Sequence, residues 1–291
     1  MDIQTAVGSV AALWRYPVKS MQGEQIDAAA ITARGIVGDR AYAIVDVETG
    51  FVASAKHPRK WGALFACRAA FTEEPQPGMP LPPVLITLPD GEVIHSAQAD
   101  VDHMLSRALG REVALVSDAP AAPIREADRS PLERIASGFN VRQEPMALAA
   151  PGTFFDYAVL HILTTATIER LRQLHPDGHI DIRRFRPNIV VAPGGEAGFV
   201  ENGWLDHQLT IGKQVALHLI DPCPRCVVTT LPNDDLPRDS DILRMLSQHN
   251  SVASVTAAPG FIFSAVAGVY ANVLQEGRLK CGDAVDLQRY R

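Results

Sequence analysis

The sequence predicts a mainly β protein with α/β additions, its core a barrel or sandwich of short strands. Two observations carry that reading. Apolar–polar alternation returns in short runs closed by Gly, Pro, Asn or Asp, and only three stretches show helical periodicity.

In chain order, residues 7–18 read as a strand that stops at Tyr16-Pro17, since proline has no N–H for a central ladder. Lys19 to Gly23 is a loop. Residues 25–33 alternate, Arg34-Gly35 turns, and residues 40–47 are a strand that Glu48-Thr49-Gly50 folds back onto residues 51–54. Residues 73–83 carry five prolines and a glycine and are expected to be a surface loop. A hairpin follows across Pro89-Asp90-Gly91, then a helix over residues 100–109 with Gly110 in the terminating position, then a short strand at 113–117. Residues 118–151 show no strong pattern.

The chain is therefore expected to divide into a β region at 1–118, a connection at 119–150 and a second domain at 151–291. In that second part, residues 159–163 run apolar and Thr164-Thr165-Ala166-Thr167 offers hydroxyls at the start of a helix over 168–174, which a threonine is expected to cap. Residues 181–188 lead into a strand at 189–192. Residues 209–220 form a hairpin turning at Gly212-Lys213, residues 241–248 a short helix capped by Asp241, and residues 261–273 and 285–287 the closing strands.

Composition excludes several classes of function. A formal net charge of −6 over 291 residues argues against a general nucleic-acid binder. No apolar run is long enough to span a bilayer, and Met1-Asp2-Ile3-Gln4 lacks the basic and apolar regions of a signal peptide. Four cysteines are too few for a disulfide framework, so a reducing cytoplasm is expected. Gly-x-Gly-x-x-Gly, Walker and Gly-x-Ser-x-Gly patterns are absent, which removes dinucleotide, triphosphate and α/β-hydrolase chemistry.

Two of the cysteines form Cys223-x-x-Cys226 within Asp221–Thr230, where Pro222 and Pro224 stiffen the end of an apolar strand. Arg225 beside Cys226 is expected to favour the thiolate, the form that is nucleophilic and that binds soft metals. Two plain core thiols remain an alternative. A structural zinc site lacks a second ligand pair, and a thioredoxin-like pair would have to open a helix, which Val227-Val228-Thr229-Thr230 resists.

Cations gather in three further places: Lys19-Ser20 after the first strand, Arg40 after Gly38-Asp39, and Arg183, Arg184 and Arg186 ahead of a strand. Guanidinium groups match phosphate geometry, although pairing with Asp181, Asp177 and Glu169 would leave the last three on a solvated face. Asn188 can read the edge of a heterocycle. His161 is expected to be interior, His175 and His179 exposed at a turn, and Asp221 a brace for its own loop. A soft thiolate with phosphate-type cations implies an anionic cofactor presenting a soft metal.

Four segments resemble the MOSC domain family: Leu13-Trp14-Arg15-Tyr16-Pro17-Val18-Lys19-Ser20, Gly35-Ile36-Val37-Gly38-Asp39-Arg40, Arg184-Phe185-Arg186-Pro187-Asn188-Ile189-Val190-Val191, and Arg225-Cys226-Val227-Val228-Thr229-Thr230. They lie in the family's order and span nearly the whole chain. The chain is similar to the two-part form in which an N-terminal β region precedes the MOSC domain, as in the amidoxime-reducing components and their bacterial counterparts.

The resemblance implies a MOSC-type β-barrel, its first strands contributed by the N-terminal region, that binds the pyranopterin molybdenum cofactor. It implies Cys226 as the catalytic thiolate on molybdenum, with Lys19, Ser20, Arg40, Arg186 and Asn188 on the pterin and its phosphate and Arg225, Thr164 and Thr165 as neighbours. Cys223 is expected to be a thiol behind the ligand. The implied activity is reduction of small N-hydroxylated compounds, with electrons from a separate ferredoxin- or flavoprotein-type partner, since Cys67, Cys223, Cys226 and Cys281 cannot supply both the metal ligand and an iron–sulfur set. The family-level association with pyridoxal phosphate is not expected to apply, no such domain preceding. The alternative is a non-catalytic carrier of the cofactor, or of sulfur as a Cys226 persulfide; a third possibility is a β protein with a structural thiol pair.

Overall fold

The computed structural model of the chain describes residues 5–119, 122–129, 140–146 and 153–290. The first strand, Thr5–Arg15, buries Val10 and Leu13 and is paired along both edges, to Ala284–Arg289 on one side and Ile189–Pro193 on the other. Those two pairings close a seven-stranded barrel. Its order runs Ile189–Pro193, Leu160–Thr164, Val266–Gln275, Val215–Pro224, His207–Ile211, Ala284–Arg289, Thr5–Arg15 and back to Ile189–Pro193. Neighbours are antiparallel except Leu160–Thr164 with Ile189–Pro193, whose parallel register needs a crossover. The helix Thr165–Leu174 lies in that connection.

Inward-facing Leu13, Ile162, Ile189, Val191, Leu209, Leu217, Val269 and Val285 fill the barrel. A second core packs the helix Pro58–Ala66 and the helix Val101–Leu109 against the sheet Arg68–Phe71, Val84–Thr87 and Val93–His95 around Trp61, Leu64, Ile86 and Leu105. The helix Val101–Leu109 ends as expected, with Gly110 left-handed at φ 66°.

Several local expectations give way. The helix Pro58–Ala66 is absent from the reading of the sequence, although Pro58 at its start and the buried spacing Trp61, Leu64, Phe65 are helix signals. Inside the expected connection, Ile124–Asp128 pairs antiparallel with Val141–Pro145, while 130–139 and 147–152 fall outside the described residues. The strand expected over 40–47 contracts to Ala43–Asp46, because the chain is still turning through Arg40; it folds back onto residues 51–53 as expected and pairs along its other edge with Val113–Val116. The run Val227–Thr230, expected to resist a helix, makes a single 3₁₀ turn: Thr229 Oγ1 donates to Cys226 O at 3.0 Å and Thr230 Oγ1 to Val227 O at 2.7 Å, bonds that hold one turn without asking β-branched residues to sustain a helix. Asp241 is not a cap; Ser240 holds that position in the helix Asp241–His249, and Asp239 accepts the Asp241 N–H at 3.1 Å.

His161 sits on the barrel strand Leu160–Thr164 with Nε2–H donating to Ala267 O at 3.1 Å. The facing Gly268 has φ 84°, and a Cβ there would stand 2.2 Å from His161 Nε2 and 2.5 Å from Ile162 O. Backbone and strand cannot both yield, so Gly268→Ala is expected to lower the unfolding free energy by about 2 kcal/mol or more, read from denaturant midpoints; an unchanged midpoint contradicts the packing. Burial, aided by the charge of Arg225, lowers His161 to about 3 from its ordinary 6.5. Between those values the unfolded chain binds the extra proton, so stability falls as pH falls through that window, by up to about 1.4 kcal/mol per pH unit. His161→Gln is expected to flatten the acid side of the stability–pH curve; parallel curves for the two proteins would refute it.

Candidate functional site

The site is an open cleft with a cavity volume of about 170 Å³ at one end of the barrel. Its walls come from segments far apart in sequence: Lys19 and Ser20 after the first strand, Arg40, Lys56, the run Phe154–Ala158, Arg186 and Asn188 before the strand Ile189–Pro193, and Cys223–Cys226 at the end of Val215–Pro224. His161 and Tyr270 contribute from the barrel itself.

Backbone strain concentrates here. Among the described residues six non-glycine positions have positive φ, and three of them, Ser20 (67°), Arg40 (48°) and Arg186 (52°), line the cleft. Each such conformation costs about 1–3 kcal/mol and persists only where surrounding bonds over-determine it. Arg40 N–H donates to Tyr16 O at 2.8 Å. The Asp39 carboxylate accepts from Tyr16 N at 2.7 Å, from Asn188 Nδ2 at 2.9 Å and from the Arg40 guanidinium. Ser20 Oγ accepts from Ala55 N–H at 3.1 Å.

Charge divides the cleft into two halves. In one, Lys19, Lys56 and Arg125 converge on Asp156. Burial works against that carboxylate, yet the three cations hold it well below the usual carboxylate range. Lys19 Nζ also donates to Phe154 O at 2.9 Å. In the other half Arg186 donates to Met21 O, and Arg225 donates through Nη1 to Cys223 Sγ at 2.7 Å and through Nη2 to Phe185 O at 2.6 Å. Neither has a carboxylate partner among the described residues, and the buried Nε of Arg225 has no partner there at all. Burial, then the like charge of Arg40, pushes Arg186 below its ordinary value.

Cys226 is half-buried on this wall, a free thiol at the start of the 3₁₀ turn. Cys223 is buried behind it and takes a hydrogen bond from Arg225. Among the described residues no three His, Cys, Asp or Glu side chains gather to hold a metal. Cys226 can therefore give one soft ligand to a metal whose other ligands arrive with it.

The cleft thus brings together Lys19, Ser20, Arg40, Arg186, Asn188, Arg225 and Cys226. Thr164 and Thr165 are elsewhere. Thr164 caps the helix Thr165–Leu174, accepting from Thr167 N–H at 3.1 Å and donating to the buried Glu201 at 2.7 Å. Three strand residues beyond His161, it stands roughly 10 Å farther along the barrel. Of the three clustered arginines only Arg186 faces the cleft: Arg183 pairs with Asp181 and Asp235, and the fully buried Arg184 donates to the carbonyls of His179, Leu231 and Pro237. His175 is half-buried against Asp239 and not exposed, whereas His179 is exposed. Asp221 braces a distant loop and not its own, accepting from Ser254, Val255, Thr256 and Ala257, with the Tyr157 hydroxyl also on it. Lys56, Arg125, Asp156 and Tyr157 carried no motif signal; only folding brings them here.

Two relatives match almost end to end. Mitochondrial amidoxime reducing component 2 of Bos taurus is 26% identical over 96% of this chain and 83% of its own length. Mitochondrial amidoxime-reducing component 1 of Homo sapiens is 26% identical over 97% of this chain and 83% of its own. Among solved structures, the YUAD protein from Bacillus subtilis aligns over the whole of both chains at 11% identity with a TM-score of 0.47. The MOSC N-terminal beta barrel domain matches residues 7–74 and the MOSC domain residues 151–286. With both matched in order across a barrel built from both, the chain belongs to the MOSC domain family.

Proposed function

We propose that the cleft holds the pyranopterin molybdenum cofactor and that the protein is a molybdenum-dependent oxidoreductase reducing small N-hydroxylated compounds. The observation that supports this most is the pairing of one half-buried thiol, Cys226, with guanidinium groups that lack carboxylate partners among the described residues, Arg186 and Arg225. The names of the relatives, amidoxime-reducing components, support the same reading.

The residues present fit such a group. A single soft donor suits a metal that carries its remaining ligands on an organic dithiolene. The unpartnered Nε of Arg225 and the uncompensated charge of Arg186 suit its phosphate. Lys19, Ser20, Arg40 and Asn188 would complete the grip on the pterin and phosphate, while Thr164 and Thr165 take no part. When bound, the cofactor would supply the two-electron reduction of an N–O bond.

The protein's own share is positioning and water exclusion. Tyr157 and Tyr270 pack with ring centroids 5.0 Å apart on the cleft wall, and Asp221 fixes the Tyr157 hydroxyl. Neutral His161 adds a polar but uncharged floor. Electrons would come from a separate ferredoxin- or flavoprotein-type partner, since the four cysteines are free and gather into no cluster among the described residues.

Elemental analysis of the full chain from a cofactor-making host is expected to find about one molybdenum per chain. Cys226→Ser is expected to keep less than about a tenth of it, to lose hydroxylamine or N-hydroxypurine reduction with an artificial donor, and to unfold at nearly the temperature of the cofactor-free wild type. Molybdenum retained by the serine variant would exclude Cys226 as ligand. A loaded wild type inert towards a broad panel of N–O compounds would exclude the reductase.

A further inference from the structure

Arg40 and Arg186 are 146 positions apart in the chain, yet both guanidinium carbons lie over the ring of Tyr16, at 4.4 and 4.2 Å from its centroid. Like charges brought together this way repel, and burial leaves little water to screen them. Carboxylate compensation is thin: Asp39 binds Arg40, while Arg186 donates to a carbonyl, that of Met21.

The ring itself has no freedom to adapt. Tyr16 is 1% exposed, its hydroxyl donates to Pro187 O at 3.1 Å, and its N–H donates to Asp39 at 2.7 Å. The indole of Trp14 stacks beside it with centroids 6.5 Å apart. Both arginines, in contrast, leave the backbone from left-handed positions, φ 48° and 52°, held by the surrounding fold. A fixed ring with a negative face can hold two half-buried cations in place while adding no counter-charge of its own.

We propose that Tyr16 is a positioning residue whose π face holds Arg40 and Arg186 at set places on the cleft wall, so that a phosphate dianion meets both charges already placed. A carboxylate in that position would consume the charge the ligand needs; an aliphatic side chain would let the two side chains swing apart and lose the preorganisation. The aromatic ring avoids both. The proposal rests on the preceding reading only for the phosphate end of the ligand. Molybdenum content tests Cys226 and phosphate binding tests Tyr16, so the two fail separately.

The test is calorimetric titration of inorganic phosphate into the full chain purified without cofactor, for the wild type and for Tyr16→Phe, Tyr16→4-fluorophenylalanine and Tyr16→pentafluorophenylalanine. These side chains are close in shape, and the unfolding temperature of each variant separates loss of packing from loss of ring charge, while fluorination drains and then inverts the charge on the ring face. Tyr16→Phe is expected within about threefold of the wild-type affinity, and the pentafluoro ring about tenfold or more below Tyr16→Phe, with the monofluoro ring between. Equal affinities across the series would overturn the role of the ring face. A loss already complete in Tyr16→Phe would assign the effect to the hydroxyl on Pro187. A wild type without saturable phosphate binding would overturn the anion seat itself.

Discussion

The pairing of Thr5–Arg15 with Ile189–Pro193 is the constraint on which the rest depends. It closes the barrel, and at its end it sets Tyr16 beside Asn188, with Asp39 accepting from both. One carboxylate thereby joins the end of the first strand, the turn that carries Arg40 and the segment that carries Arg186. Closing a loop this long in sequence costs entropy that only a well-packed core repays, and the fully buried side chains of Leu13, Ile162 and Ile189 lie where the closure is made. The cleft is a consequence of barrel closure, not an addition to it.

The uneven charge of the cleft follows from the same arrangement. Lys19, Lys56 and Arg125 share Asp156, which ties the first strand, the approach to the helix Pro58–Ala66 and the strand Ile124–Asp128 to the second half of the chain. Three cations there surround one carboxylate, and Arg125 also bonds Glu144. In the arginine half Arg40 pairs with Asp39, Arg186 and Arg225 have no carboxylate partner among the described residues, and the backbone is left-handed at Arg40 and Arg186. Arg186 alone of these three arginines combines a left-handed backbone with the lack of a carboxylate partner among the described residues.

Particular residues show how far a linear reading reaches. Lys19, Arg40, Arg186, Asn188 and Cys226 stood out because each sits in a motif with charge or sulfur at a strand end, and all five line the cleft. Thr164 stood out for a local reason, a hydroxyl at the head of a helix, and its bonds are local too, to Thr167 and Glu201. Arg183 and Arg184 are indistinguishable from Arg186 in composition. The 3₁₀ turn Ile182–Arg184 aims them at Asp181 and at buried carbonyls, and only the residue past the turn reaches the cleft.

By itself, then, the amino-acid order determined the β-rich class, most strand positions and the identity of the thiol and the main cations, because alternation, turn residues and motif chemistry are properties of neighbours along the chain. Tertiary structure alone decided that Arg225 bonds Cys223, that Lys56, Arg125 and Asp156 meet Lys19, and that two arginines share the ring of Tyr16. Apart from the bond between Arg225 and Cys223, those contacts join residues tens to more than a hundred positions apart. Their energies depend on burial and on the sign of the charge across the gap, and neither exists until the barrel has closed.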